Sequence, residues 1–328
     1  MITNSLAIAG CKHTTKDLIL GLLRLGFSID LVITIDSQTA ENQQVAGYYD
    51  LRDFLKEKQI RCYVAKTYSL KGQIDRENIT GFGIGVLLCM GWQRLIPEWM
   101  LNILKVGAFG MHGSNKPLPH GRGRSPLNWS LIQNKSMFFT HLFKYKPGVD
   151  DGDVVGYQLF DITPFDDAHT LHFKNLIAMI KLCEKELPGI LENRFSTTPQ
   201  KNVTPSFYPK RSEEDGVIFW NDSTLDIYNL IRAVTYPFPG AITYTTLQHE
   251  TRTIKIWAAI PFDTHLRWDN LDAGQICEIL YNGSLIVKTG DTSILITSYE
   301  GILPQDLTIG ESFHSNKIIQ KEWRDLPR

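Results

Sequence analysis

Two stretches of this sequence carry the side chains that proton transfer needs. The first reads Met111-His112-Gly113-Ser114-Asn115-Lys116-Pro117-Leu118-Pro119-His120-Gly121-Arg122-Gly123-Arg124-Ser125-Pro126. It leaves an apolar run, Val106–Met111, and ends where Ser125 and Pro126 read as the N-cap and first turn of a helix. His112 then falls at the carboxyl end of a strand, where open α/β sheets gather their functional residues. Imidazole titrates near neutral pH, so it can take up and return a proton. The second stretch is Pro147-Gly148-Val149-Asp150-Asp151-Gly152-Asp153. A strand, a helix and a strand between the two would bring His112 and Asp150 to one end of the sheet, where a carboxylate orients the ring and raises its proton affinity. The plainer reading of each is structural: glycines and prolines shaping a loop around a hydrogen-bonded His112, and a solvated acidic turn in which Asp151 and Asp153 are turn residues.

Such a pair needs a frame, and the apolar pattern supplies one. Leu6–Gly10, Leu31–Ile35, Arg61–Lys66, Ile84–Cys89 and Val106–Met111 read as strands; Thr15–Leu25, Asp50–Lys58 and Leu95–Leu104 read as helices. Ile84–Cys89 is apolar throughout, as suits a strand buried on both faces. The alternation predicts an α/β domain on a Rossmann-like parallel sheet. A long helix follows over 166–193 behind an Asp166/Asp167 cap, and Phe195–Lys210 reads as a linker. Beyond it, Leu225–Val234 is a short helix. Segments 241–247, 253–260, 275–281, 285–289 and 293–299 read as short strands, with Asn282-Gly283 as a hairpin turn. The expected division is an α/β catalytic domain over 1–200, a mostly-β, barrel-like domain over 201–315, and a tail over 316–328.

Composition narrows the function. The 328 residues are 43% hydrophobic and 21% charged, ordinary globular material and more than one core of ~250–300 residues holds. With 34 basic and 35 acidic residues the net charge is −1, which disfavours a broadly basic nucleic-acid surface. No run approaches the ~18 apolar residues of a membrane span, and the first residues lack a secretory pattern. Five scattered cysteines without a CxxC pair fit a reducing cytoplasm and point to neither a metal ribbon nor a disulfide framework. Gly81-Phe82-Gly83-Ile84-Gly85 precedes a strand instead of joining strand to helix, and Gly10-Cys11-Lys12 starts no dinucleotide fingerprint, so hydride transfer is unsupported.

Taken in order, the motifs resemble the folate-dependent formyltransferases, which include methionyl-tRNA, glycinamide ribonucleotide and sugar N-formyltransferases. The strand with its His-Gly-Ser loop and the Gly-x-Asp-x-Gly-Asp turn carry the likeness. Gly91-Trp92-Gln93-Arg94-Leu95-Ile96-Pro97 resembles the segment lining the family's folate pocket. Tyr208-Pro209-Lys210-Arg211 through Asp215-Gly216, Trp220 and Ile231–Ala241 resembles the C-terminal domain of the transfer-RNA and sugar-nucleotide branches. One departure stands out: the family's Asn-x-His is Gly110-Met111-His112 here.

The resemblance implies formyl transfer from 10-formyltetrahydrofolate, as cosubstrate, to an amine. In it His112 handles protons, Asp150 positions and polarises it or holds an ordered water that relays protons, and Asn115 or backbone amides of the 112–115 loop meet the oxyanion. Met90, Trp92, Leu95, Ile96 and Val149 would face the folate, with core packing the competing role for the apolar residues of 90–96. Arg122, Arg124 and Lys210 would hold acceptor phosphates, unless they are solvated loop charges. The implied acceptor is a nucleotide-linked amino sugar, as in surface-polysaccharide biosynthesis, in an enzyme of the cytoplasm that can pair as a homodimer. The competing readings are methionyl-tRNA formyltransferase, formyltetrahydrofolate hydrolase and a non-catalytic binder.

Overall fold

The computed structural model describes residues 4–315; the tail expected over 316–328 lies outside them. The chain falls into two compact units, and they interleave. The first takes the chain up to Gly123, then 137–160 and 173–207; the second takes 124–136, 161–172 and the chain from Tyr208 onward. Relative to a single cut at residue 200, the segments 124–136 and 161–172 group with the second unit and 201–207 with the first. The physical reason is visible in the helix α6 (Pro126–Ile132). Its Leu127, Trp129 and Leu131 are buried, and Asn128 donates to the carbonyl of Ala233 at 2.7 Å, so its partners lie in the C-terminal part of the chain.

The first unit is built on seven strands. In chain order they are β1 (Leu6–Ala9), β2 (Leu31–Thr34), β3 (Cys62–Val64), β4 (Val86–Cys89), β5 (Gly107–Ser114), β7 (Met137–Lys144) and β8 (Val154–Asp161). Two-residue strands β6 (Arg122–Gly123) and β9 (Phe207–Tyr208) lie outside this sheet. The order across the sheet is β3-β2-β1-β4-β5-β7-β8. β1 to β5 pair in parallel as expected, but β7 runs antiparallel to β5 with His141 opposite His112, so the sheet is mixed. β1, β2 and β4 are fully buried, which accounts for their unbroken apolar runs.

Helices α1 (His13–Arg24), α3 (Arg52–Glu57) and α5 (Glu98–Ile103) follow the apolar periodicity. Two others carried too little of it to be expected. α2 (Ser37–Asn42) is six residues long and is started by Asp36, whose carboxylate accepts from the Thr39 amide at 2.8 Å. α4 (Gln73–Thr80) is polar apart from two isoleucines, and its buried Asp75 carboxylate is satisfied by Tyr63 Oη, the amides of Lys66 and Thr67, and Thr67 Oγ1. The long helix α7 (Ala168–Leu191) starts behind Asp167, which accepts from the Thr170 amide at 2.8 Å. Its Met179, Leu182, Cys183, Leu187 and Ile190 join Leu18, Ile19 and Leu22 of α1 in one core.

In the second unit, strands β10 (Ala241–Leu247), β11 (Glu250–Pro261), β12 (Ile276–Ile279), β13 (Leu285–Lys288) and β14 (Ser293–Glu300) form one antiparallel sheet, ordered β10-β11-β14-β13-β12. Asn282-Gly283 makes the β12–β13 turn, with Gly283 at φ +83°. The amphipathic α8 (Thr224–Val234) buries Ile227, Leu230, Ile231 and Val234 and buries Arg232 as well. That guanidinium donates to Asn229 Oδ1 and to the carbonyls of Thr163 and Asp166, so its charge meets acceptors on several sides. Among the described residues no helix is long and apolar enough to cross a membrane.

Candidate active site

His112 stands on β5 just past the last residue that pairs with β4, where Cys89 meets Gly110. It therefore projects beyond the parallel strands, at the end the sequence indicated. Asp150 reaches it by a different route from the one expected. Because β7 is antiparallel, its last residues lie level with Phe109, and the turn after it must fold back. The backbone of that turn is built for the reversal. Tyr145 donates its amide to the carbonyl of Ala108 at 2.8 Å, Asp150 adopts φ +49°, and a Cβ at Gly152 would fall on the carbonyl of Lys144. The result is His112 Nδ1 at 3.5 Å from Asp150 Oδ2, with the side chains 9% and 20% exposed.

The other ring nitrogen, Nε2, lies 2.8 Å from the carbonyl oxygen of Gly121. A carbonyl only accepts, so Nε2 carries a hydrogen and Nδ1 is the nitrogen turned toward the carboxylate. A proton arriving at Nδ1 completes a charge-assisted pair with Asp150.

The loop and turn are pinned by residues that were not anticipated. Gly123 donates its amide to Asp150 Oδ2 at 3.2 Å, and Gly121 donates its amide to Ser206 Oγ at 2.9 Å. Gln200 Nε2 donates to the carbonyls of Asp150 and Gly152 at 2.7 and 2.9 Å, while its Oε1 accepts from Arg122 Nη2 at 2.6 Å. Thr198 and Val154 exchange two backbone hydrogen bonds of 2.8 Å. Part of the expected linker is therefore clamped along the catalytic loop. Its Ser, Thr and Pro content is shared by flexible connections and by extended segments held through their backbone, and composition does not separate the two.

The apolar residues expected to face folate divide. Leu95, Ile96 and Val149 line one pocket of about 50 Å³ together with Asp150 and Tyr145. Leu95 is 57% and Val149 46% exposed, whereas Ile96 is buried. Leu95 and Ile96 are not helical: α5 begins after Pro97, and 91–96 is irregular. Met90 follows β4 directly and lies inside the core. Trp92 packs edge-on against Tyr68 at 4.8 Å, and its buried Nε1 has no acceptor among the described residues.

Position 110 is occupied in an unusual sense. A Cβ built on Gly110 would clash with the hydroxyl-bearing edge of the Tyr145 ring. Burial holds the Tyr145 phenol well above its ordinary pKa, and the neighbouring Cys89 thiol and Asp150 carboxylate push the same way. Asn115 lies beyond the end of β5, and among the described residues no hydrogen bond joins it to His112 or Asp150.

Of the expected acceptor cations, Arg122 belongs to the first unit, with Nη2 on Gln200 and a buried Nε without a partner among the described residues. Arg124 and Lys210 are exposed in the second unit. Beside Lys210, Arg211 lies over the ring of Trp129 at 5.5 Å, and burial lowers its pKa to about 10. Among the described residues no group of three His, Cys, Asp or Glu side chains could hold a metal ion.

Comparisons with known proteins agree with this architecture. Residues 210–302 match the model of the formyl transferase C-terminal domain. The bifunctional polymyxin resistance protein ArnA of Wigglesworthia glossinidia brevipalpis is 33% identical over 224 residues, 68% of this chain; the chain spans 33% of that relative's length. The sugar 3N-formyl transferase WlaRD, solved in the presence of dTDP and 5-N-formyl-THF, superposes with a TM-score of 0.62 at 18% identity, over 92% of this chain and 99% of that one. The N-formyltransferase from Helicobacter canadensis, solved in complex with folinic acid and dTDP-3-aminofucose, gives 0.61 at 17% identity, over 92% and 100%. At these identities the likeness to the solved structures is one of fold.

Proposed function

We propose that this chain, which has the formyltransferase fold and carries the formyl transferase C-terminal domain, moves a formyl group from 10-formyltetrahydrofolate to the amine of a nucleotide-linked amino sugar. The observation that carries this reading is the His112–Asp150 pair at the rim of a pocket walled by Leu95, Ile96 and Val149. An amine attacks an acyl carbon only as the free base, and the nitrogen that attacks must then shed a proton. His112 Nδ1 takes that proton, and Asp150 stabilises the imidazolium so formed. The same proton goes to N10 of the folate as the old C–N bond breaks, so one N–C bond is exchanged for another with no change in oxidation state.

The pocket of about 50 Å³ is far below the ~300–1,000 Å³ of ligand sites, so the folate ring enters by displacing the exposed side chains of Leu95 and Val149. In the preceding segment, the Trp92 N–H is a donor left for a ligand. Arg122 offers its unpaired Nε to an acceptor phosphate. Two solved relatives in fold hold a formylated folate with dTDP or a dTDP-amino sugar, which supports a nucleotide-linked acceptor. The balanced net charge of −1 favours a small acceptor over a nucleic acid.

The test is incubation with 10-formyltetrahydrofolate and a panel of amino-sugar nucleotides, followed by mass spectrometry. The expected product is one acceptor heavier by CO. Formylation of charged initiator transfer RNA instead, or release of formate at full rate without an acceptor, overturns the choice of acceptor.

A further inference from the structure

We propose that the hydroxyl of Tyr145 is the hydrogen-bond donor that stabilises the oxyanion formed on the formyl oxygen. The proposal rests on the formyl-transfer reading and assigns a group in the site that it left open. When the amine nitrogen bonds to the formyl carbon, the C=O π pair moves onto oxygen. That charge needs a donor aimed at it in a site shielded from water.

Tyr145 meets the geometric requirements. It lines the same pocket as Asp150, Leu95, Ile96 and Val149. A Cβ at Gly110 would fall against the hydroxyl-bearing edge of the Tyr145 ring, about as close to the oxygen as to the ring carbons. Gly110 and His112 are two residues apart on one strand, which puts them on one face at a spacing of roughly 6.6 Å. The hydroxyl therefore lies over the same strand face that carries His112. The ring is held in place by Phe143, whose centroid is 5.4 Å away. Position 110 can carry no side chain while that ring is there, so glycine at 110 and tyrosine at 145 form one packing solution.

The hydroxyl is also free to exchange its partner. It is hydrogen-bonded to the buried Cys89 thiol, a weak hydrogen-bonding group. An oxyanion is a far stronger acceptor, so rotating the O–H from sulfur to oxygen is favoured once charge develops. Burial keeps the phenol protonated through the physiological range, so the donor is always loaded. On collapse of the intermediate the π bond re-forms, the C–N10 bond breaks, and the proton held by His112 goes to N10.

The deciding experiment is steady-state kinetics of Tyr145→Phe, which keeps the ring over Gly110. The expected result is a fall in kcat of roughly 100–1,000-fold with KM for both substrates nearly unchanged. A tyrosine with one ring fluorine at 145 makes the phenol a better donor at almost constant size, and kcat is expected to rise with KM unmoved. As a rescue, Tyr145→Ala vacates the space over Gly110, and adding Gly110→Asn is expected to restore at least ~10-fold of the lost kcat by supplying an amide there. A folded Tyr145→Phe protein with kcat within a few-fold of the parent, or fluorination that leaves kcat unmoved, overturns the proposal while the formyl-transfer reading stands. A parent protein that transfers no formyl group to any amine overturns both.

Discussion

His112 and His141 are the same side chain at directly opposed positions of β5 and β7, yet their surroundings give them opposite properties. His141 is 2% exposed and its ring nitrogens meet only backbone: Nδ1 donates to the carbonyl of His112 at 3.4 Å, and Nε2 accepts from the Leu118 amide at 3.5 Å. Burial lowers its pKa to about 4, so it stays neutral and holds its hydrogen on Nδ1. His112 holds its hydrogen on Nε2 and turns Nδ1 to a carboxylate. Residue type and strand position are shared; the loops that supply the partners are not. Of the two, only His112 is met by a charged group, brought in by the 145–153 turn.

The sharpest way to break this contrast is to remove each ring in turn. His112→Gln is expected to lower kcat/KM for formyl transfer by ~100–10,000-fold, the range of a lost general base. His141→Gln, in a protein that melts within a few degrees of the parent, is expected to keep kcat/KM within ~10-fold of it, since no proton passes through that ring. Equal losses from both substitutions would show that the two positions act as one packed unit, and the distinction drawn from their partners would fail.

Stability against acid probes the same contrast from the other side. A histidine whose folded pKa lies below its unfolded value binds its proton more readily when unfolded. It therefore contributes stability that is fully present above the unfolded pKa near 6.5 and lost as pH falls toward the folded value of about 4. For His141 the expected loss across that window is roughly 3 kcal/mol, at 1.36 kcal/mol per pH unit. Denaturant titrations at pH 7, 5.5 and 4 measure it, and His141→Gln should flatten that part of the profile. A profile as steep in His141→Gln as in the parent would mean that other groups drive the acid transition.

Packing at Gly110 gives a smaller effect and tests whether β5 is shaped around Tyr145. Gly110→Ala places a methyl against the hydroxyl-bearing edge of the phenol ring and is expected to destabilise the protein by ~1–3 kcal/mol, the cost of overpacking. Tyr145→Ala makes room for it, so the two substitutions should be strongly non-additive in thermal or denaturant unfolding. Simple additivity would mean that the ring moves aside without cost.

These contrasts also show what the sequence disclosed and what it hid. The buried parallel strands were legible because burial on both faces demands unbroken apolar runs such as Ile84–Cys89. The His112 loop and the Asp150 turn were legible because glycine, proline, histidine and aspartate punctuate them. The direction of β7 was not, since Met137–Lys144 reads the same in either orientation and only the pairing partner decides it. Tyr145 was hidden for a related reason: it looks like one more aromatic after a strand, and its importance appears only when its ring is found over Gly110. Gln200 sits in a Ser-, Thr- and Pro-containing stretch that composition assigns to a connector.

That last residue offers the finest test of the contrast, because it acts on Asp150 without touching either histidine. Gln200 holds the carbonyls of Asp150 and Gly152 and accepts from Arg122, so it fixes the turn that separates His112 from His141 in function. Gln200→Leu keeps the bulk and removes all three bonds. At ~0.5–1.5 kcal/mol net per bond, with some replaced by water, the expected loss of stability is about 1–2 kcal/mol. If the turn positions the carboxylate, kcat should fall by roughly ten-fold, equivalent to 1.4 kcal/mol, while KM for the folate changes less. Asp150→Asn in the same background should then cost less than it does in the parent, because the aspartate has already lost its fixed geometry. A Gln200→Leu enzyme that loses stability but keeps its kcat would mean that the backbone of the turn holds Asp150 unaided, and that Gln200 only ties Arg122 and its own segment to the loop.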